Sequence, residues 1–177
     1  MPSSLENALD QLNAHLNSPR RAWLLGAGAS CMAGIPLMHP LTERVRGLLT
    51  TSDAKVFASI FELLSENSHI EHVLSQLGDL IALAGRSKEG RISLGSEKYE
   101  ADHLRKLHST LLGKIGETIR YGYRPASATE KETVGSRDHP IVSVDDHRSF
   151  IQVLFSVSQA GLEAQRPSIA FFTTNYD

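Results

Sequence analysis

The stretch that most constrains the fold is Arg21-Ala22-Trp23-Leu24-Leu25-Gly26-Ala27-Gly28-Ala29-Ser30-Cys31-Met32-Ala33-Gly34-Ile35-Pro36. Four apolar residues, Ala22 to Leu25, run directly into a glycine turn and then into residues that can open a helix. Such an order brings backbone N–H groups against a phosphate, so a nucleotide pocket is the first expectation. Because the four apolar residues do not alternate with polar ones, the strand is expected to be covered on both faces. A second apolar run, Ile169-Ala170-Phe171-Phe172-Thr173-Thr174-Asn175-Tyr176-Asp177, answers the first at the far end. Its Asn175 and Asp177 fall at the carboxyl end of a strand, where open α/β sheets place their ligands.

Between the two lies a stretch with helical periods. Ser3 and Glu6 have capping-box spacing ahead of Leu5, Leu9, Leu12 and Leu16, and Pro19 stops that helix. Thr42 can cap a helix carrying Val45, Leu48 and Leu49, and Asp53 another carrying Val56, Ile60, Phe61 and Leu64. Ser68 with Glu71 repeats the capping-box spacing before Ile70, Val73, Leu74, Leu77, Leu80 and Ile81, which end near Gly85. Residues 86–95 read as a loop, and Leu104, Leu107, Leu111, Leu112, Ile115 and Ile119 mark a long helix between about Ser96 and Gly122. Arg124 to Pro140 has two prolines and no apolar period, which predicts a mobile surface loop. Asp145 or Asp146 then caps a helix holding Phe150, Val153, Leu154 and Val157.

This order predicts an α/β fold: a parallel sheet with a large helical insertion, about residues 41–165, in one domain over 1–177. A strand that ends at Asp177 with no helix to cover it would leave the sheet unfinished, so the chain is expected to be the front part of a longer protein.

Composition removes several function classes. With 18 basic and 20 acidic residues the net charge is -2, which gives no electrostatic footprint for direct nucleic-acid binding or an anionic membrane. A single cysteine, Cys31, cannot form an internal disulfide or a cysteine zinc cluster, which fits a reducing cytoplasmic setting. No apolar run approaches the roughly 20 residues that span a bilayer, and the N-terminus lacks a secretory pattern.

Taken alone, Gly26-Ala27-Gly28 is half of a dinucleotide fingerprint, with Cys31 at the third glycine position and no acidic residue at the expected distance. A tight strand-to-helix turn also needs small residues whatever it binds. Together with Gly34-Ile35-Pro36 and Thr173-Thr174-Asn175-Tyr176-Asp177, however, it resembles the sirtuin superfamily, in which a Gly-Ala-Gly-x-Ser, a Gly-Ile-Pro and a Thr-x-Asn-x-Asp line one NAD pocket. Thr-Thr-Asn-Tyr-Asp and Ile70-Glu71-His72-Val73-Leu74-Ser75 look like the bacterial sirtuin-like NADases that act as effectors in antiphage defence. The fold this resemblance implies is a Rossmann-like, sirtuin-type parallel sheet. Sirtuin deacetylases typically carry a four-cysteine zinc ribbon, and they follow Gly-Ile-Pro with phenylalanine and arginine where this chain has Met38 and His39. Both departures count against acyl-lysine chemistry.

The resemblance implies that Gly26, Ala27, Gly28 and Ser30 contact the NAD phosphates, and that Gly34, Ile35 and Pro36 lie toward the nicotinamide end. Thr174 would line the pocket, Asn175 would hold the ribose or the attacking water, and Asp177 would grip the nicotinamide carboxamide. NAD is then a substrate, hydrolysed to nicotinamide and ADP-ribose, with NAD depletion and abortive infection as the implied biology. The alternatives are a module that binds NAD or ADP-ribose without turnover, and an NAD-dependent protein deacylase. Family members of this branch commonly form oligomers and work with a translocase-type ATPase or a short Argonaute, so a homo-oligomer with such a partner is implied.

The family's catalytic histidine follows the Asn-x-Asp segment, and none of the eight histidines here occupies that position. For these 177 residues by themselves, binding without turnover is therefore the expected behaviour. His69, His72, His103 and His108 read as rim or solvated residues, and His39 is placed near the pocket. No metal site is expected. Cys31 is expected to be a small apolar filler, and Trp23 a core residue.

Overall fold

The computed structural model describes residues 4–16, 20–26, 28–159 and 168–173. The elements are α1 (Ser4–Leu16), β1 (Arg20–Leu25), α2 (Gly28–Met32), α3 (Met38–Gly47), α4 (Thr51–Phe61), α5 (Ile70–Arg86) and β2 (Arg91–Leu94). They continue with β3 (Glu97–Glu100), α6 (Ala101–Tyr121), β4 (Tyr123–Arg124), β5 (Thr133–Val134), α7 (Asp145–Gln159) and β6 (Ser168–Thr173). The protein is thus mixed α/β, with seven helices and three two-stranded sheets among the described residues. It divides into two compact units, residues 1–33 with 143–177, and residues 34–142.

In the first unit β1 and β6 pair in parallel, in register from Arg20 with Ser168 to Leu25 with Thr173. Their covering differs from the expectation of a strand buried on both faces. Trp23 and Leu25 are half-buried, with the Trp23 ring edge-on to Phe150 of α7 at 5.2 Å, whereas the paired Leu24 and Phe172 are 73% and 59% exposed. Alternate residues of a strand face opposite sides, so a helix on one side leaves the other apolar set in solvent. In α1 the periodic Leu5, Leu9 and Leu12 are likewise exposed.

The second unit holds the hydrophobic core. Leu41 and Val45 of α3, Phe57 and Ile60 of α4, the Ile70, Val73, Leu77 and Leu80 stripe of α5, and Leu104, Leu107 and Leu111 of α6 meet in one buried cluster. Each is spaced at three or four residues, so one face of each helix turns inward and apolar burial holds the four together.

Several helix starts differ from the spacing-based expectations. Thr42 is not a cap: α3 begins at Met38, and the buried Thr42 hydroxyl donates to the Met38 carbonyl at 2.7 Å and accepts from the Ile70 N–H at 2.9 Å. It satisfies a first-turn donor of α5 from another helix. Asp53 lies one turn inside α4, whose cap is Thr50: the Thr50 Oγ1 accepts from the Asp53 N–H at 3.2 Å and donates to its carboxylate at 2.9 Å. At α5 the cap position is His69 in place of Ser68, and the His69 N–H donates to His72 Nδ1 at 3.2 Å.

Two expected loops contain pairing. Residues 86–95 include β2, which pairs antiparallel with β3 across a Gly95-Ser96 turn, so α6 starts at Ala101 instead of Ser96. Gly95 has a φ of 59°, the left-handed conformation such a turn favours in glycine. Within 124–140, β4 and β5 form a short antiparallel pair, Tyr123 with Val134 and Arg124 with Thr133.

Candidate functional site

The parallel register brings Leu25 and Thr173 side by side at the carboxyl ends of β1 and β6. Gly26 follows the first strand and Thr174 the second, so the two motifs leave the sheet at one edge. Of the expected ligand residues in this unit, Ala27, Thr174, Asn175 and Asp177 lie outside the described residues. The turn after β1 is closed by the Ala29 N–H on the Gly26 carbonyl at 2.9 Å and by the Ala33 N–H on the Ser30 carbonyl at 3.0 Å. Gly26 and Gly28 are exposed, and a Cβ on either would meet nothing within 4 Å among the described residues. Packing among the described residues therefore does not call for glycine at these two positions. Ser30 is half-buried on the five-residue α2. Cys31 is exposed, which corrects its reading as a small apolar filler: α2 has no buried residue.

Gly34, Ile35 and Pro36 belong to the other unit, where two of them have structural work. Gly34 is buried with a φ of 87°, its carbonyl accepts from the Tyr123 N–H at 2.9 Å, and a Cβ would lie 3.0 Å from the Ile141 carbonyl oxygen. Pro36 is buried and Ile35 half-buried. Glycine at 34 is thus accounted for by close backbone approach, without any ligand.

Within the same unit the structure gathers three histidines. His39 on α3 is edge-on to His69 with ring centroids 6.0 Å apart, and His69 and His72 stand 4.1 Å apart. Burial first, then the neighbouring His72, lower the His69 pKa, and Glu71, with its carboxylate 3.9 Å from Nδ1, opposes them. Among the described residues no group of three His, Cys, Asp or Glu side chains could hold a metal ion. The spacing of His69 and His72 is visible in the sequence; the approach of His39 from 30 residues away is not.

Sequence reasoning also missed the surroundings of Tyr123. The Arg44 guanidinium lies over its ring at 5.4 Å, and burial, then the hydrogen-bonded Glu132 carboxylate, raise its phenol above the ordinary range. No helix among the described residues is long and apolar enough to cross a membrane. Neither a protein-family model, nor a curated protein, nor a solved structure matches the chain.

Proposed function

We propose that the first unit is the nucleotide-binding part of a sirtuin-like domain and that its chemistry is hydrolysis of NAD to nicotinamide and ADP-ribose, in the manner of the NAD-depleting effectors of bacterial antiphage defence. The observation that supports this reading is the parallel pairing of β1 with β6 in the register that ends at Leu25 and Thr173. Two segments separated by well over a hundred residues thereby leave the sheet at one edge, where α/β folds take their ligands.

In this reading the backbone at Gly26 and Gly28, both exposed, faces the pyrophosphate together with Ser30, and the resemblance adds Ala27 to this wall. Thr174 lines the opposite wall. Cleaving the bond between nicotinamide and ribose develops oxocarbenium character on the sugar, so the site must orient the ring, hold the departing amide and position a water. Asn175 offers both a donor and an acceptor for the ribose hydroxyl or the water, and Asp177 accepts from the carboxamide N–H. No metal is needed in this scheme. The branch resemblance extends the proposal to a homo-oligomer acting with a translocase-type ATPase or Argonaute-type partner.

The test is nicotinamide release from NAD by the full-length protein beside its Asn175→Ala variant. Loss of an oriented polar group at the reacting centre is expected to slow release by about a hundredfold or more. Equal release by the two would refute the role of Asn175. NAD binding without any release would leave a binding module.

A further inference from the structure

The geometry points to a second anion site, in the 34–142 unit: a surface cleft framed by Arg44, Arg120, Tyr121 and Arg137 that takes a pyrophosphate-bearing nucleotide. It is independent of the NAD reading and shares no residue with it.

The cleft has a volume of about 740 Å³, enough for a nucleotide and far larger than a single phosphate requires. Arg44 comes from α3, Arg120 and Tyr121 from the last turn of α6, and Arg137 from the segment after β5. Three elements far apart in sequence thus each contribute an arginine to the lining of one cavity. Among the described residues none of the three forms an ion pair with a carboxylate. The one acid in the wall, Glu117, is held by Lys114 at 3.0 Å. Glu132 and Glu43 act on Tyr123 beside Arg44, so the unbalanced positive charge falls on Arg120 and Arg137; a bound polyanion would offset it through charge-assisted, fork-shaped hydrogen bonds.

The cleft is also pre-shaped. Arg44 is held over the Tyr123 ring at 5.4 Å and Arg120 over the Tyr121 ring at 5.9 Å. The backbone beneath is fixed by the Ile141 N–H on the Tyr121 carbonyl at 2.8 Å and the Gly135 N–H on the Gly122 carbonyl at 3.0 Å. Gly135, in the cleft wall, admits no side chain, since its Cβ would run into the Tyr121 carbonyl oxygen. An aromatic ring beside guanidiniums suits a ligand with a flat base as well as phosphates.

Calorimetric titration of the whole 177-residue protein with ADP, inorganic pyrophosphate and adenosine tests the site. ADP is expected to bind with an affinity that falls as salt rises, pyrophosphate more weakly, and adenosine not measurably. The double variant Arg120→Gln with Arg137→Gln should weaken ADP by at least about tenfold, as loss of charged hydrogen bonds does. Arg86→Gln, at the end of α5, keeps the same net-charge direction elsewhere and should leave ADP affinity unchanged. A circular-dichroism melt confirms that the double variant is folded. Absence of ADP binding, equal binding of adenosine, or an ADP isotherm unchanged in the folded double variant would overturn the proposal; any ADP held at the turn after β1 contributes equally to both proteins.

Discussion

The two units spend their apolar residues differently. In residues 34–142 the helical stripes close on one another, and Val45, Val73, Leu104 and Leu107 are fully buried. In residues 1–33 with 143–177, Leu5, Leu24, Val153 and Phe172 are each more than half exposed, while Ala33 and Leu154 are buried. The glycines divide the same way. Gly34, Gly122 and Gly135 are fixed by backbone approaches of 3.0 Å or less, whereas among the described residues Gly26 and Gly28 have nothing within 4 Å of a Cβ. Where packing accounts for a residue, its identity carries little information about a ligand. Where packing does not, as in the turn after β1, a ligand argument has the most purchase.

The comparison breaks most readily at the core. Leu107→Ala removes a fully buried side chain of α6 and should cost about 2–5 kcal/mol in denaturant unfolding. Phe172→Ser on the exposed side of β6 should stay within about 0.5 kcal/mol of the parent. A large loss from Phe172→Ser would mean that this strand is packed as tightly as the core, and the contrast between the units would fail.

Next in size is Thr42→Val, which keeps the shape but leaves the buried Ile70 N–H without its acceptor. A loss of about 1–3 kcal/mol is expected by the same measurement. An unchanged midpoint would mean that the α5 start does not depend on the α3 hydroxyl.

The smallest effect concerns pH. His69 has its pKa lowered in the folded protein, mainly by burial and then by His72, against an ordinary value of 6.5. Below that value the unfolded chain binds the proton more readily, so the stability present above about pH 6.5 should decline as pH falls toward the folded pKa. Unfolding midpoints measured between pH 7.5 and 5 should fall less in His69→Gln than in the parent. Parallel curves would remove His69 from the account.

The core was largely legible in the sequence. Ile70, Val73, Leu77 and Leu80 recur at helical spacing and all four are buried, because a period of 3.6 reports one face directly. The same reading gives the helix α1, but its Leu5, Leu9 and Leu12, though at the right period, are exposed; periodicity identifies a face, not what covers it. The hairpin of β2 and β3 was passed over although Gly95-Ser96 is a turn signal, because each strand has only four residues. For the candidate site, the sequence showed the two motifs and the structure supplies the register that aligns the strands carrying them. The arginine cleft had no local signal at all, since its guanidiniums come from positions 44, 120 and 137.

The most direct test of the NAD reading is amide chemical-shift mapping of the labelled protein titrated with a carba analogue of NAD, whose ribosyl bond resists hydrolysis. The account predicts saturable shifts at Gly26, Gly28, Ser30 and Thr173 and in the residues that follow Thr173, at the carboxyl ends of β1 and β6. Shifts confined to residues 116–137, or none at that sheet edge, would contradict it.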